Sequence, residues 1–520
     1  MSSEMPSMPH RAYWSKGRLR TLLAAYLGLF AVNINVLITY VGIFDMQRRL
    51  GMGESDLQWL VGVYSIGMAS ATMISATLAD VFGQKIVYVV SLSVYIACSL
   101  GAALTSSVLV LVAARGVQGV SAAAVIVTSL ALVSRASTAW EARTRAVGIW
   151  VAVGSVAVAL GPPVGGVLDQ LMGWRGLFVA TVPLCFVVLA ITLRFVPESQ
   201  RVHIRRFDWP GQFFFIATVA SLAFVMIQGP SFGWRSSITL SLLGLSVVGF
   251  LAFVVHESRT RYPMLDISLF RNRLYALAVA TVFFAAFCNE GAFFVVMQYY
   301  RSIREYSPVK VGFLVLPFAA GYAVVALKAA GLRTRFGLRR LLLFGQAGLL
   351  LGLLTMVLGF PVGRGTVLLG MAVVGMASAM VITPVVALVL EVMPLDRSGM
   401  ASGIVNTQQP LGGAMSFAAL GTVMTVWLGA TLGRDIEQVI PDPAERTGAS
   451  RDIILHADPH MHISMSAPGA QIRHFDARLA DIAERNFIQA GQVSLGVAVL
   501  VAAAVLTVLL AAFPDDADRS

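Results

Sequence analysis

The chain has 520 residues, 57% of them hydrophobic and only 12% charged, with a mean hydropathy of +0.78. That excludes a soluble globule: apolar runs of about 20 residues recur from end to end, each long enough to cross a ~30 Å hydrocarbon core. The formal net charge of +11 is not a nucleic-acid footprint, because the basic residues fall mainly in alternate loops, as the topology of a membrane protein demands.

Hydropathy predicts an all-α integral membrane protein with about fourteen spans. The first six lie near 21–44, 57–79, 86–106, 108–133, 143–169 and 176–196. Two follow near 210–229 and 236–256. The last six lie near 274–299, 309–332, 339–360, 366–391, 400–429 and 489–513. Arg18 and Arg20 precede the first span, and Arg135, Arg143 and Arg145 follow the fourth. Arg201, Arg205 and Arg206 follow the sixth, Arg259 and Arg261 the eighth, and Arg333 and Arg335 the tenth. An even number of spans with both termini in the cytoplasm is therefore expected. The first span lacks a signal-peptide pattern and is expected to stay as an anchor. Cys98, Cys185 and Cys288 fall within spans and imply no disulfide framework.

Polar residues inside these runs are the candidate site. The first span holds Asn33 and Asn35, and the second holds Tyr64 and ends at Asp80, followed by Gly83 for a tight turn. Arg115 lies ~10 Å into the fourth span, with Gln118 one turn on. A charge at that depth faces a cavity or partner, or else snorkels to the interface. The fifth span carries Gly154, Gly161, Pro162, Gly165 and Gly166. Gly161 and Gly165 share one helical face, so a neighbouring backbone can approach, and the prolines remove backbone donors. Small-residue packing in any membrane bundle would use the same pattern.

The ninth span contains Asn289-Glu290, with Phe287, Phe294 and Met297 as a candidate apolar wall for a drug-like ligand, or as plain packing. Lys328 near the cytoplasmic end of the tenth span is expected to snorkel. Gln409-Pro410 should bend the thirteenth. Two stretches look duplicated: the run from Gly119 parallels that from Gly375, and the turn at Gly83 parallels that at Gly337. Such copies suggest two homologous six-helix halves with substrate at their interface. The polar loop 430–488 holds His456, His460, His462 and His474. Asp458-Pro459 disfavours a helical histidine pair, so no metal is expected, and 469–488 would form an amphipathic surface helix. No GxxxxGK[ST] is present, and no nucleophile–base set marks an enzyme.

With Leu57-Gln58-Trp59, Leu78-Ala79-Asp80 with Gly83, Ala114-Arg115-Gly116 with Gln118-Gly119, the Gly161-Pro162 run, Gly173-Trp174-Arg175 and Arg397 to Gly403, nearly the whole chain resembles the fourteen-helix drug–proton antiporters (the DHA2 branch) of the major facilitator superfamily. It is most similar there to actinobacterial exporters of the spectinomycin and tetracycline type. The resemblance implies a major facilitator fold: a cytoplasmic tail 1–20, a six-helix half 21–199, two extra central helices 200–260, a second half 261–515 and a tail 516–520. It implies a monomer in the bacterial cytoplasmic membrane, exchanging protons for small drug-like molecules without a cofactor. It also implies that Asp80 latches one conformation through Arg143 or Arg145, and that Arg115 serves proton transfer.

Relatives carry an acid where this chain has Asn35, which cannot carry a proton. Asn35 and Glu290 both lie ~10–14 Å from the same membrane face. Glu290 is therefore expected to replace the missing acid, with Arg115 as its charge partner. The alternative is a structural ion pair of Glu290 with Arg115 or Lys328. Export of an endogenous metabolite or lipid, and a facilitator uncoupled from protons, remain open on the same scaffold.

Overall fold

The computed structural model describes residues 16–137, 140–198, 208–260, 263, 265–304, 306–392, 398–436 and 477–512. The histidine-bearing loop and the side chain of Arg143 lie outside the described residues. The first bundle comprises α1 (Lys16–Leu50), α2 (Glu54–Phe82), α3 (Gln84–Leu104), α4 (Val108–Ala136), α5 (Trp140–Val179) and α6 (Val182–Phe195). A hairpin of α7 (Trp209–Phe232) and α8 (Ser237–Arg259) follows. The second bundle comprises α9 (Arg273–Gln298), α10 (Pro308–Leu314), α11 (Leu316–Phe336), α12 (Leu338–Val362), α13 (Arg364–Val392), α14 (Ser398–Ile436) and α15 (Ala477–Ala512). No strand occurs among the described residues. Helices satisfy their own backbone groups, which is what a hydrocarbon environment requires.

Thirteen stretches among the described residues are long and apolar enough to cross a membrane. One of them, Arg145–Phe195, has 51 residues, about twice the need of a single crossing. It contains the expected fifth and sixth spans and is broken at Gly173, where φ is 66°, and again at 180–181. The expected tenth span is interrupted at Val315, because Pro317 has no N–H to offer the Phe313 carbonyl. The expected separate surface helix is not formed over 477–488. Those residues are the first turns of α15 and continue into the last span, whose apolar face carries them straight on.

The duplicated stretches make duplicated contacts. Gly83 (φ 99°) and Gly337 (φ 77°) each join two helices as a single residue, between α2 and α3 and between α11 and α12. A side chain at either would be strained. A Cβ at Gly119 would run into the Tyr64 carbonyl of α2, and one at Gly375 into the Phe318 carbonyl of α11. In the same way Gly67 sits over the Gly116 carbonyl and Gly321 over that of Ala372. The glycines thus bring α2 against α4, and α11 against α13, in one shared register.

Although they lie between the bundles in sequence, α7 and α8 pack to one side in space. α7 covers the seam of α2 and α14. Gln212 donates to the Ser70 carbonyl of α2, Thr422 of α14 donates to the Met226 carbonyl, and the Trp59 and Phe224 rings stand 5.9 Å apart. α8 packs on α7 and turns Val248, Phe250 and Leu251 outward, an apolar face suited to lipid.

Candidate functional site

Two polar centres lie inside the bundle, joined by α1. In the first, Arg115 of α4 is fully buried. Its Nη1 donates to Gln118 Oε1 at 2.7 Å and to Asn35 Oδ1 at 3.3 Å. Gln118 donates onward to Ser99 Oγ of α3 at 2.7 Å, and Asn35 Nδ2 reaches Thr181 Oγ1 at 3.4 Å. The guanidinium stands 4.2 Å from the centre of the Tyr64 ring, a cation–π arrangement. Arg115 Nε and Nη2 have no hydrogen-bond partner. A buried cation held only by neutral groups is an expensive arrangement, and it leaves this centre positively charged.

The second centre is Glu290 of α9. The Tyr40 hydroxyl of α1 lies beside its carboxyl group. From α14, Gly413 leaves space that Glu290 occupies: a Cβ there would stand 3.2 Å from Glu290 Cγ. The rings of Tyr40 and Phe417 meet edge-on at 5.6 Å, and Phe294 meets Phe417 at 5.9 Å. Glu290 therefore faces the interior where the two bundles meet, not lipid. Its Oε2, the Asn289 Oδ1 and the Ser416 Oγ are buried without partners.

The sequence-predicted residues divide between these centres. Asn35, Tyr64, Arg115 and Gln118 come together in the first, and Glu290 and Phe294 in the second. Phe287 and Met297 are buried on α9, one turn before Glu290 and two turns after it. Asn33 is half-buried and faces α5, its Nδ2 3.5 Å from where a Gly154 Cβ would be. Arg115 and Glu290 make no ion pair, contrary to expectation. The guanidinium is engaged by Asn35, Gln118 and Tyr64 within its own bundle, and the carboxyl group by Tyr40. Lys328 is exposed and takes no part. Asp80 is half-buried at the end of α2, beside Gly83. The sequence reading missed Tyr40 and Phe417; the only available signal for Tyr40 was its place on α1 about a turn and a half beyond Asn35.

Around these centres the bundles close at the end where α1 finishes, here called the far end. The glycine motif of α5 serves two contacts. Gly161 and Gly165 lie on α1, a Gly165 Cβ falling 2.9 Å from the Ile38 Cα and oxygen. Gly166 abuts the Pro308 carbonyl of α10, and Gly312 of α10 in turn abuts the Pro162 carbonyl. A proline carbonyl with a glycine against it, twice over, lets α5 and α10 touch backbone to backbone. On the opposite seam Gly421 of α14 lies against the Gln58 side chain of α2.

Two bundles built on repeated contacts, meeting around a central polar pair, match a known sequence profile over residues 23–417, that of the Major Facilitator Superfamily. The chain belongs to this superfamily. Among its members, the multidrug resistance protein Stp of Mycobacterium tuberculosis is 39% identical over 506 residues, covering 96% of this chain and 93% of Stp. The drug efflux pump JefA of the same species is 34% identical, covering 87% of this chain and 89% of JefA. A bacterial homologue of the human lysosomal transporter Spinster, solved inward-facing and unoccupied, superposes with a TM-score of 0.66 at 14% identity. It covers 96% of this chain and 98% of its own, and shows the same fold. Membership of the superfamily, with drug-efflux relatives over nearly the whole chain, makes this protein a multi-pass membrane transporter.

Proposed function

We propose that this protein exports amphipathic, drug-like molecules across the bacterial cytoplasmic membrane, working as a monomer by alternating access driven by inward proton movement. The far end is then the outer face and both termini are cytoplasmic, as the arginine distribution implies. The observation that carries this reading is Glu290: a carboxyl group at the seam of the bundles, beside Tyr40 of the first bundle, with its buried Oε2 unpartnered.

A proton arriving from outside neutralises Glu290 and weakens its hold on the Tyr40 hydroxyl and on a bound cationic drug. The bundles are then free to rock about α1, and release of the proton inward restores the carboxylate for the next drug molecule. Phe287, Phe294, Phe417 and Met297 supply the apolar wall of the chamber. Arg115, fixed in charge, keeps the first bundle positive. Asp80 and Arg143 act at the cytoplasmic helix ends, biasing the conformation rather than touching substrate. Exchange of one proton for a monocationic drug moves no net charge, so it runs on the pH difference alone, about 1.4 kcal/mol or a tenfold gradient per pH unit.

Two features support export over uptake: the names borne by Stp and JefA, and the aromatic lining beside a carboxyl group. Drug uptake into everted vesicles under an imposed pH gradient tests the reading. Glu290→Gln should abolish pH-driven uptake while leaving the binding of a neutral drug intact; undiminished uptake would refute the assignment. A second reading, an uncoupled facilitator, is favoured by the neutral Asn35 opposite Arg115. It predicts that an uncoupler leaves transport unchanged.

A further inference from the structure

One buried carboxyl group has no part in the mechanism above. Asp169 lies on α5 one turn beyond Gly166, just past the contact of α5 with α10 that closes the far end, with its Oδ1 3.4 Å from where a Gly42 Cβ of α1 would be. It is only 6% exposed, and neither of its oxygens has a hydrogen-bond partner. We propose that Asp169 is a second proton-binding site, and that its protonation favours closure of the far-end gate.

Charged groups surround the carboxyl, but none of those described forms an ion pair with it. From α1 come Asp45, Arg48 and Arg49. Asp45 is already taken by Arg49, at 3.0 Å, and by the Trp174 backbone N–H at 3.4 Å. From the second bundle comes Arg301, in the π-helical turn Tyr299–Ile303 after α9. Its Nη1 donates to the Tyr306 carbonyl at 2.7 Å, and its Nε is unpartnered. α10 brings only Lys310, whose ammonium stands 5.8 Å from the Tyr306 ring. On α5 itself Arg175 turns to the Thr105 carbonyl and Ser106 Oγ, each at 3.3 Å. α3, α4, α6 and α11 carry no charged residue at their far ends. Among the described residues no ion pair reaches Asp169.

A carboxylate buried beside a second carboxylate, with no N–H or O–H to accept from, is poorly stabilised, whereas the neutral acid is not. Parting α5 from α10 would admit water to Asp169 and stabilise its charged form. The closed gate thus binds one proton more than the open gate, and acid outside drives closure by linkage. The proton comes from outer water and returns there when the gate reopens. Arg301 belongs to the opposite bundle, so opening also carries its charge away from Asp169. That change works against the effect of water, and it is the smaller of the two because Arg301 makes no ion pair with Asp169.

This inference rests on the proposed function only in taking the far end as the face that opens. The test is a spin-label distance between Leu171→Cys and Val362→Cys, exposed far-end positions on opposite bundles, in otherwise cysteine-free protein through a pH series. The closed-to-open ratio should rise as pH falls, by at most about tenfold per pH unit. Asp169→Asn should remain mostly closed with a shallower slope, Glu290→Gln should keep the part of the slope that depends on Asp169, and the double variant should lose the slope. A gate that opens as pH falls, or an Asp169→Asn protein that is mostly open, would mean an Asp169–Arg301 ion-pair latch and overturn the proposal. An unchanged slope in Asp169→Asn would assign the response to another group and overturn it too. The wild-type series decides the sign even if the variant fails to fold. If Glu290→Gln transports normally while the Asp169-dependent slope persists, the proposed function fails and this inference stands. If Glu290→Gln stops pH-driven transport while the slope is indifferent to Asp169, the proposed function stands and this inference fails.

Discussion

The centres of the two bundles solve one problem in opposite ways. In the first, a permanent cation, Arg115, is held by Asn35, Gln118 and Tyr64, all from its own bundle. In the second, a titratable acid, Glu290, has Tyr40 of the other bundle as its polar neighbour. The first centre keeps its charge and partners whatever the bundles do. The second must change partners when they move, so it is where protonation and motion can be coupled. α1 serves both, with Asn35 facing one centre and Tyr40 the other.

The strongest way to break this contrast is to remove the acid. Glu290→Gln should collapse pH-driven accumulation, a loss of about tenfold for each unit of imposed pH difference, with binding of a neutral fluorescent drug unchanged. Next in size, Gly166→Leu or Gly312→Leu sets a side chain against a proline carbonyl of the opposing helix. Overpacking of about 1–3 kcal/mol should bias the far end open and cut efflux by about tenfold or more. Cysteine accessibility at the far end would report the opening, and unaltered accessibility would count against the gate.

A subtler change tests whether the fixed cation is passive. Arg115→Lys keeps the charge but loses the planar stack on Tyr64 and the paired bonds to Asn35 and Gln118. It should lower thermal stability by about 1–3 kcal/mol and leave residual proton-coupled transport. Complete loss of coupling with unchanged stability would instead make Arg115 part of the proton path. Moving the acid sharpens the comparison further: Asn35→Asp in a Glu290→Gln background puts a carboxylate against Arg115, and partial recovery of pH-driven uptake is expected. The smallest effect is that of Tyr40→Phe. Losing the one hydroxyl beside the carboxyl group, a polar contact of about 1 kcal/mol, should slow pH-driven uptake about fivefold and spare drug affinity.

Much of this was legible in the chain. Glu290 and Arg115 stood out because ionisable residues are rare at that depth. Gly119 and Gly375 marked the repeat because only glycine permits such close approach. The sequence reading went wrong where partners had to be chosen. Equal depth in the membrane suggested an Arg115–Glu290 pair, but depth says nothing of azimuth, and the two side chains answer to different neighbours. The motif at Gly161–Gly166 was read as one contact face; it is two, since Gly165 and Gly166 point about 100° apart around the helix. Asp169 drew no notice because a carboxylate near a span end is ordinary until its surroundings are known.

Residue order alone determined that this chain spans a membrane repeatedly, which loops carry the positive charge, and that two ionisable groups sit deep in apolar helices. Those follow from hydropathy and helical rise, which are local properties. Tertiary structure decided that Tyr40 meets Glu290, that Arg115 is satisfied within its own bundle, and that Asp169 is shut into the seam beside Arg301. Each of these depends on how helices far apart in sequence rotate against one another, and that is set by the glycine contacts of the whole bundle.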